Sequence, residues 1–218
     1  VAEDLHGNLW IGTKGGLNKF TPSEKRFSRI KYPTPYDLDV SEYIYDVKCA
    51  RNGTVLVNTP PVLTLCDPDN MHFTHHVSPL TYDGSVKDYN LPLLEDASGQ
   101  IWTGSTQGLA CYQPDKKAFK LFTSQNSGLS DDYITGLCQD KKGNIWIGTS
   151  NGLNCLQKGS DHFAVFKKEP ENKNSLSHNF IRAVLEDPSG MLWIATEGGG
   201  LDRLIFQENG SVLFEKFQ

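Results

Sequence analysis

The 218-residue sequence has no apolar run near the ~18 residues that a membrane-spanning helix requires. It also lacks apolar spacing of 3.6 residues sustained over ten or more positions, which excludes the helical repeat folds. Lysine and arginine never cluster beyond pairs such as Lys116-Lys117, Lys141-Lys142 and Lys167-Lys168, and the net charge is −5. Binding of nucleic acid by this segment is therefore not expected, because phosphate recognition needs a concentrated basic face. Cysteine is sparse and odd in number (Cys49, Cys66, Cys111, Cys138, Cys155), with no Cys-x-x-Cys spacing. A disulfide framework and a zinc site are both disfavoured, and each cysteine is read as a small buried residue of a strand. No Gly-x-Ser-x-Gly elbow or Cys/His dyad stands out, so no catalytic residue and no cofactor are expected. No signal peptide is recognisable. Val1 lies just before an Asp-x-x-Gly turn, and the chain is expected to be a segment of a longer protein.

What is present is a repeat. Hydrophobic residues make up 38% and charged residues 22%, a globular balance, while twenty glycines and eleven prolines favour turns and strands. One phrase is written four times: AEDLHGNLWIGTKGGLNKF at 2–20, LEDASGQIWTGSTQGLACY at 94–112, CQDKKGNIWIGTSNGLNCL at 138–156 and LEDPSGMLWIATEGGGLDRL at 185–204. A worn copy, CARNGTVLVNTPPVLTLC, fills 49–66, with Ala50 for the Asp and Leu56 for the Trp. The turn glycines Gly7, Gly53, Gly99, Gly143 and Gly190 recur at about 46 residues, and Trp10, Trp102, Trp146 and Trp193 keep one register.

Each unit reads as an apolar β-branched strand, an Asp-x-x-Gly turn, a short strand carrying the Trp, a Gly-rich link, a third strand, a polar hairpin and a fourth strand. The Asp can hydrogen-bond the turn backbone and the Gly accepts positive φ. Four antiparallel strands per ~46 residues predict an all-β fold, a β-propeller of four-stranded antiparallel blades. The blades are placed at approximately 1–32 (lacking its first strand), 43–77, 89–123, 133–168 and 180–218, as one partial propeller over 1–218. That gives about 19 strands, or about 4.75 blades, an arc of a larger propeller with open edges. A five-bladed closure would be one strand short. The tryptophans are expected in the core between one blade and the next, with the adjacent Gly12, Gly104 and Gly148 (Ala195 in the last copy) admitting the neighbouring sheet.

The phrase D-x-x-G-N-[IL]-W-I-G-T-x-x-G-L-N, with leads such as NSGLSDDYITGL at 126–137 and NSLSHNFIRAV at 174–184, resembles the two-component regulator propeller repeat. The resemblance covers nearly the whole chain and implies the periplasmic sensor region of a Bacteroides-type hybrid two-component system protein. Propellers of that family are typically seven-bladed and precede a β-sandwich, a membrane helix, a histidine kinase, a receiver and a DNA-binding domain. None of those parts is legible here, so the chain itself is not expected to be an enzyme. The resemblance further implies a response to an oligosaccharide coupled to transcription of glycan-utilisation genes. The implied partners are the remaining blades, the β-sandwich and a second copy of the parent.

Chain direction alternates through a blade, so the blade-to-blade links open on one side and the Asp-x-x-Gly turns on the other. The links at 33–42, 78–88, 124–132 and 169–179 are longer than the two to five residues that a connection needs. They carry Tyr36, Asp37, Asp39, Tyr82, Asp83, Lys87, Asp88, Asp131, Asp132, His178 and Asn179. Aromatic surfaces beside acids and amides suit sugar recognition, and these are the candidate ligand-binding residues. His72, His75 and His76 sit in a predicted outer strand whose alternation separates His75 from the other two, so no metal site is assigned. Glu3-Asp4, Glu95-Asp96 and Glu186-Asp187 fall in the repeat register and read as turn architecture rather than acid/base pairs. Two other readings remain open: an interaction scaffold without small ligand, and a propeller lyase resembling the streptogramin lyases, with a metal and a histidine.

Overall fold

The computed structural model describes residues 1–31, 43–80, 91–207 and 210–217. The candidates Tyr36, Asp37, Asp39, Tyr82, Asp83, Lys87 and Asp88 lie outside the described residues. Among the described residues, twenty strands form five four-stranded antiparallel sheets, each in sequence order from one edge to the other. Sheet 1 is β1 (Ala2–Glu3), β2 (Leu9–Thr13), β3 (Gly16–Thr21) and β4 (Arg26–Ile30). Sheet 2 is β5 (Asp46–Cys49), β6 (Val55–Thr59), β7 (Val62–Asp67) and β8 (His72–Val77). Sheet 3 is β9 (Leu93–Glu95), β10 (Ile101–Gly104), β11 (Leu109–Gln113) and β12 (Ala118–Phe122). Sheet 4 is β13 (Ile134–Gln139), β14 (Ile145–Thr149), β15 (Gly152–Leu156) and β16 (Phe163–Phe166). Sheet 5 is β17 (Ile181–Glu186), β18 (Leu192–Thr196), β19 (Gly200–Phe206) and β20 (Val212–Phe217). The chain divides into two compact units, Val1–Leu93 and Leu94–Gln218.

The first sheet corrects the sequence-based strand count. It keeps a two-residue first strand, pairing Ala2 with Trp10 and Glu3 with Leu9. The Asp4 turn folds that stub back, with the Asp4 N–H donating to the Asn8 carbonyl at 2.9 Å.

Within each unit, the first strand of one sheet packs against the second strand of the sheet before it, and in two of the three junctions against that sheet's first strand as well. In the first unit, Trp10 and Leu17 of sheet 1 share a core with Ile44, Val47 and Val57 around sheet 2. In the second, Trp102 and Leu109 pack with Ile134, Ile145 and Ile147 between sheets 3 and 4. Trp146 and Leu153 pack with Ile181, Val184 and Ile194 between sheets 4 and 5. Glycine beside the Trp is a steric requirement of this packing. A Cβ on Gly148 would stand 2.7 Å from Ile181 Cγ2, and one on Gly12 would stand 2.5 Å from Ile44 Cγ2.

The corresponding face of sheet 5 is different. Trp193 there is half-buried. Leu201 is 37% exposed where its counterparts Leu17, Leu109 and Leu153 are 0%, and Leu185 and Phe217 are exposed on the same sheet.

Candidate functional site

The Asp-x-x-Gly turn is a complete hydrogen-bonding device. In sheet 4, Asp140 Oδ1 accepts the N–H groups of Lys142 (3.0 Å) and Asn144 (2.8 Å), and its Oδ2 accepts Trp146 Nε1–H at 2.9 Å. Asp4 does the same with His6, Asn8 and Trp10, Asp96 with Ser98, Gln100 and Trp102, and Asp187 with Ser189, Met191 and Trp193. A buried indole N–H needs an acceptor, and the carboxylate closing the turn supplies it. For Asp4, burial pushes the carboxyl up, but the bonds from Trp10, Asn8 and His6 outweigh it and hold the group below the usual carboxylate range. Bonds from the Ser189 hydroxyl and the Trp193 indole hold Asp187 well below that range.

The residue preceding this Asp clasps the sheet before it. Gln139 Oε1 accepts the Ala97 N–H at 2.6 Å, and both Glu186 carboxylate oxygens accept the Lys141 N–H at 3.0 Å. Ala97 and Lys141 hold the same turn position in sheets 3 and 4. The acid and amide beside the turn Asp thus join neighbouring sheets, a role the spacing in sequence does not disclose.

On the opposite side, the links 124–132 and 169–179 are fastened to the sheets they lead into. Leu129 is buried between sheets 3 and 4, and Leu176 between sheets 4 and 5. Ser130 donates its N–H to Asn154 Oδ1 at 2.8 Å and shares a 2.8 Å hydroxyl bond with Thr149. Ser177 repeats this with Asp202 Oδ2 (2.8 Å) and Thr196 (2.9 Å). Burial pushes the Asp202 carboxyl up, against the opposing bonds from Ser177.

The four described candidates sit in these links. Asp131 accepts the Tyr133 N–H (2.8 Å) and Asp132 the Ser124 N–H (2.6 Å). His178 Nδ1 accepts the Phe180 N–H (3.1 Å) and Asn179 the Lys168 N–H (2.6 Å). The structure therefore places Asp131 with Asp132 in one link and His178 with Asn179 in the next, each shaping its own loop. Part of the link length that looked surplus in sequence carries the Leu and Ser anchors.

The other chemistry-bearing side chains have structural surroundings. His75 bonds Thr64 Oγ1 through Nδ1 at 2.9 Å, across the β7–β8 pair. Among the described residues, no group of three or more His, Cys, Asp or Glu side chains is placed to share a metal ion. All five cysteines are free thiols, and burial pushes Cys66, Cys111 and Cys155 up to about 12, leaving them protonated and unreactive near neutral pH.

Four-stranded antiparallel sheets that recur in sequence and stack through a tryptophan are the blades of a β-propeller. Residues 128–151 and 175–198 each match the family described as two component regulator propeller. No curated protein matches the sequence. Among solved structures, the chain is similar to the extracellular domain of the putative hybrid two component system BT4673 from B. thetaiotaomicron. The TM-score is 0.71 at 22% identity, over 94% of this chain and 27% of that one. It is also similar to virginiamycin B lyase from Staphylococcus aureus, solved as a catalytically inactive variant with quinupristin (TM-score 0.69, 12% identity, 99% of this chain, 68% of that one). PorZ, a surface component of the type-IX secretion system of Porphyromonas gingivalis, gives a TM-score of 0.67 at 15% identity, over 100% of this chain and 33% of that one. The chain spans under a third of the BT4673 domain, and at these identities the likeness establishes the fold.

Proposed function

We propose that the chain is a non-catalytic, extracytoplasmic segment of the sensor propeller of a hybrid two-component signalling protein, and that the parent responds to an oligosaccharide. The observation that carries this reading is the pair of regulator-propeller repeats at 128–151 and 175–198. The likeness to an extracellular domain of a putative hybrid two component system supports it. In this reading the segment lies in the periplasm, the parent acts as a dimer, and ligand occupancy is relayed through the blades to a kinase that controls glycan-utilisation genes. The turn carboxylates are committed to indole and backbone N–H groups, which leaves them poorly placed for proton transfer.

The test is calorimetric titration of the purified chain with a broad panel of plant, host and microbial oligosaccharides. Saturable binding of one glycan class supports sensing. Absence of any glycan binding, with capture of a defined protein partner, would instead establish the scaffold reading. Turnover of a streptogramin, abolished by a chelator, would establish the lyase reading.

A further inference from the structure

The two sheet junctions of the second unit differ on the side of the Asp-x-x-Gly turns. Between sheets 4 and 5 the space over the Trp is filled. Phe206, in the extended end of β19, sets its ring 6.3 Å from that of Trp146, and Lys142 Nζ lies 4.4 Å from the centre of the Phe206 ring. Lys141 reaches across to the Pro188 carbonyl. Between sheets 3 and 4 every one of these fillers is replaced. Counting from the paired strand ends, Lys158 stands where sheet 5 has Phe206, and Ala97 and Ser98 stand where sheet 4 has Lys141 and Lys142. The result is a groove of about 390 Å³ with the buried rings of Trp102 and Phe122 at its base and Lys120 Nζ 5.0 Å from the centre of the Phe122 ring.

The walls of this groove point to the class of occupant. Gln100, Gln113, Gln139 and Gln157 all line it. An amide offers donors and an acceptor together, which matches hydroxyl groups that both donate and accept. Gln113 and Gln157 make no side-chain hydrogen bond among the described residues, whereas Gln100 accepts from Cys111 Sγ at 3.0 Å and Gln139 clasps Ala97. Charge in the lining is balanced, with Asp96 and Asp161 against Lys120 and Lys158. Asp96 is committed to the Trp102 indole, and Lys120 closes one edge of the groove through a 2.6 Å bond to Asp161. A groove of balanced formal charge, rich in amides over buried aromatic rings, suits an uncharged polar molecule better than a charged or purely apolar one. Its volume lies within the roughly 300–1,000 Å³ of small-ligand pockets.

We propose that the groove between sheets 3 and 4, on the turn side, binds an uncharged saccharide of one or two rings. The proposal rests on the glycan-sensing reading for its ligand class, but it puts the contact on the face opposite the links that carry Asp131 and His178.

The test follows the Trp102 indole N–H by NMR, assigned with Trp102→Phe, while glucose, galactose, maltose, cellobiose, glucuronate and glucosamine are titrated into the purified chain. One of the four neutral sugars is expected to shift the Trp102 signal saturably, with the charged sugars weaker. Lys158→Phe installs the ring that closes the neighbouring junction and should weaken binding roughly tenfold or more. Ser98→Lys plugs the groove independently should the first variant fold poorly. Asp131→Ala and His178→Ala should bind as the parent chain does. The proposal is overturned if no neutral sugar moves the Trp102 signal, or if a folded plugged variant binds undiminished. Loss of binding in the link variants, with the plugged variants intact, would remove the groove and leave glycan sensing standing. Failure of the broad glycan panel as well would remove both.

Discussion

Trp146 Nε1–H donates to Asp140 Oδ2 at 2.9 Å, joining the first residue of the turn to the Trp that the next sheet covers. The same bond is 2.8 Å at Trp10–Asp4 and Trp102–Asp96, and 2.9 Å at Trp193–Asp187. It explains why sheet 2 departs from the pattern at two positions together. Without the indole of a Trp at Leu56, a buried carboxylate at Ala50 would lose its third donor. The bare backbone turn persists there, with the Gly53 N–H donating to the Ala50 carbonyl at 2.9 Å.

Asp140→Ala is expected to cost about 2–3 kcal/mol, since it leaves a buried indole N–H without its charged acceptor. Trp146→Leu should also destabilise. The double variant, which copies the Ala50/Leu56 combination of sheet 2, should fall short of the sum by about 1–2 kcal/mol. Urea unfolding of the four proteins measures this. Strict additivity would show that the bond contributes nothing of its own.

Gly148→Ala should destabilise by about 1–3 kcal/mol, because the added methyl meets the stiff β-branched Ile181. Ala195→Gly, at the same position of sheet 5, should cost less than about 1 kcal/mol. Thermal unfolding of the two variants side by side checks the contrast.

Asp202→Asn is expected to raise stability at neutral pH. Burial raises the Asp202 carboxyl above its unfolded value, so the folded state keeps this proton to a higher pH than the unfolded state does. Stability from this group therefore falls as pH rises from the unfolded value through the folded one. Asparagine already fills the equivalent site, Asn154, where it meets Ser130 as Asp202 meets Ser177. Chemical unfolding from pH 4 to 8 should show a flatter profile in the variant, and an unchanged slope would refute the assignment.

Asp4 and Asp187 titrate in the opposite sense. Both are held below the unfolded carboxylate value, so their contribution is complete above about pH 5 and is lost as pH falls through the folded values. The melting temperature should drop in that acid range. Asp4→Asn should remove part of the drop while lowering stability at pH 7.

Much of this architecture could be read from the residues because a turn glycine, an alternating strand and a spaced Trp each carry a local signature. The sheet boundaries around Gly143 and Trp146 are of that kind. The Glu186 and Gln139 clasps were not legible, since their partners lie in another repeat and either residue reads equally well as part of a solvated turn. The 124–132 and 169–179 links were read by length, which cannot distinguish a ligand loop from one pinned by Leu129 and Ser130. The groove over Trp102 was hidden for the same reason. It is made by what Ala97, Ser98 and Lys158 fail to fill, and a vacancy between sheets has no sequence signature of its own.

Ala195 sets a stand-off distance. Where Gly148 lets an isoleucine from the following sheet come to rest against the backbone, the Ala195 methyl occupies that space. An isoleucine set against sheet 5 as Ile181 is set against Gly148 would meet that methyl. The outer face of sheet 5 therefore differs in shape from the face of sheet 4 that meets Ile181.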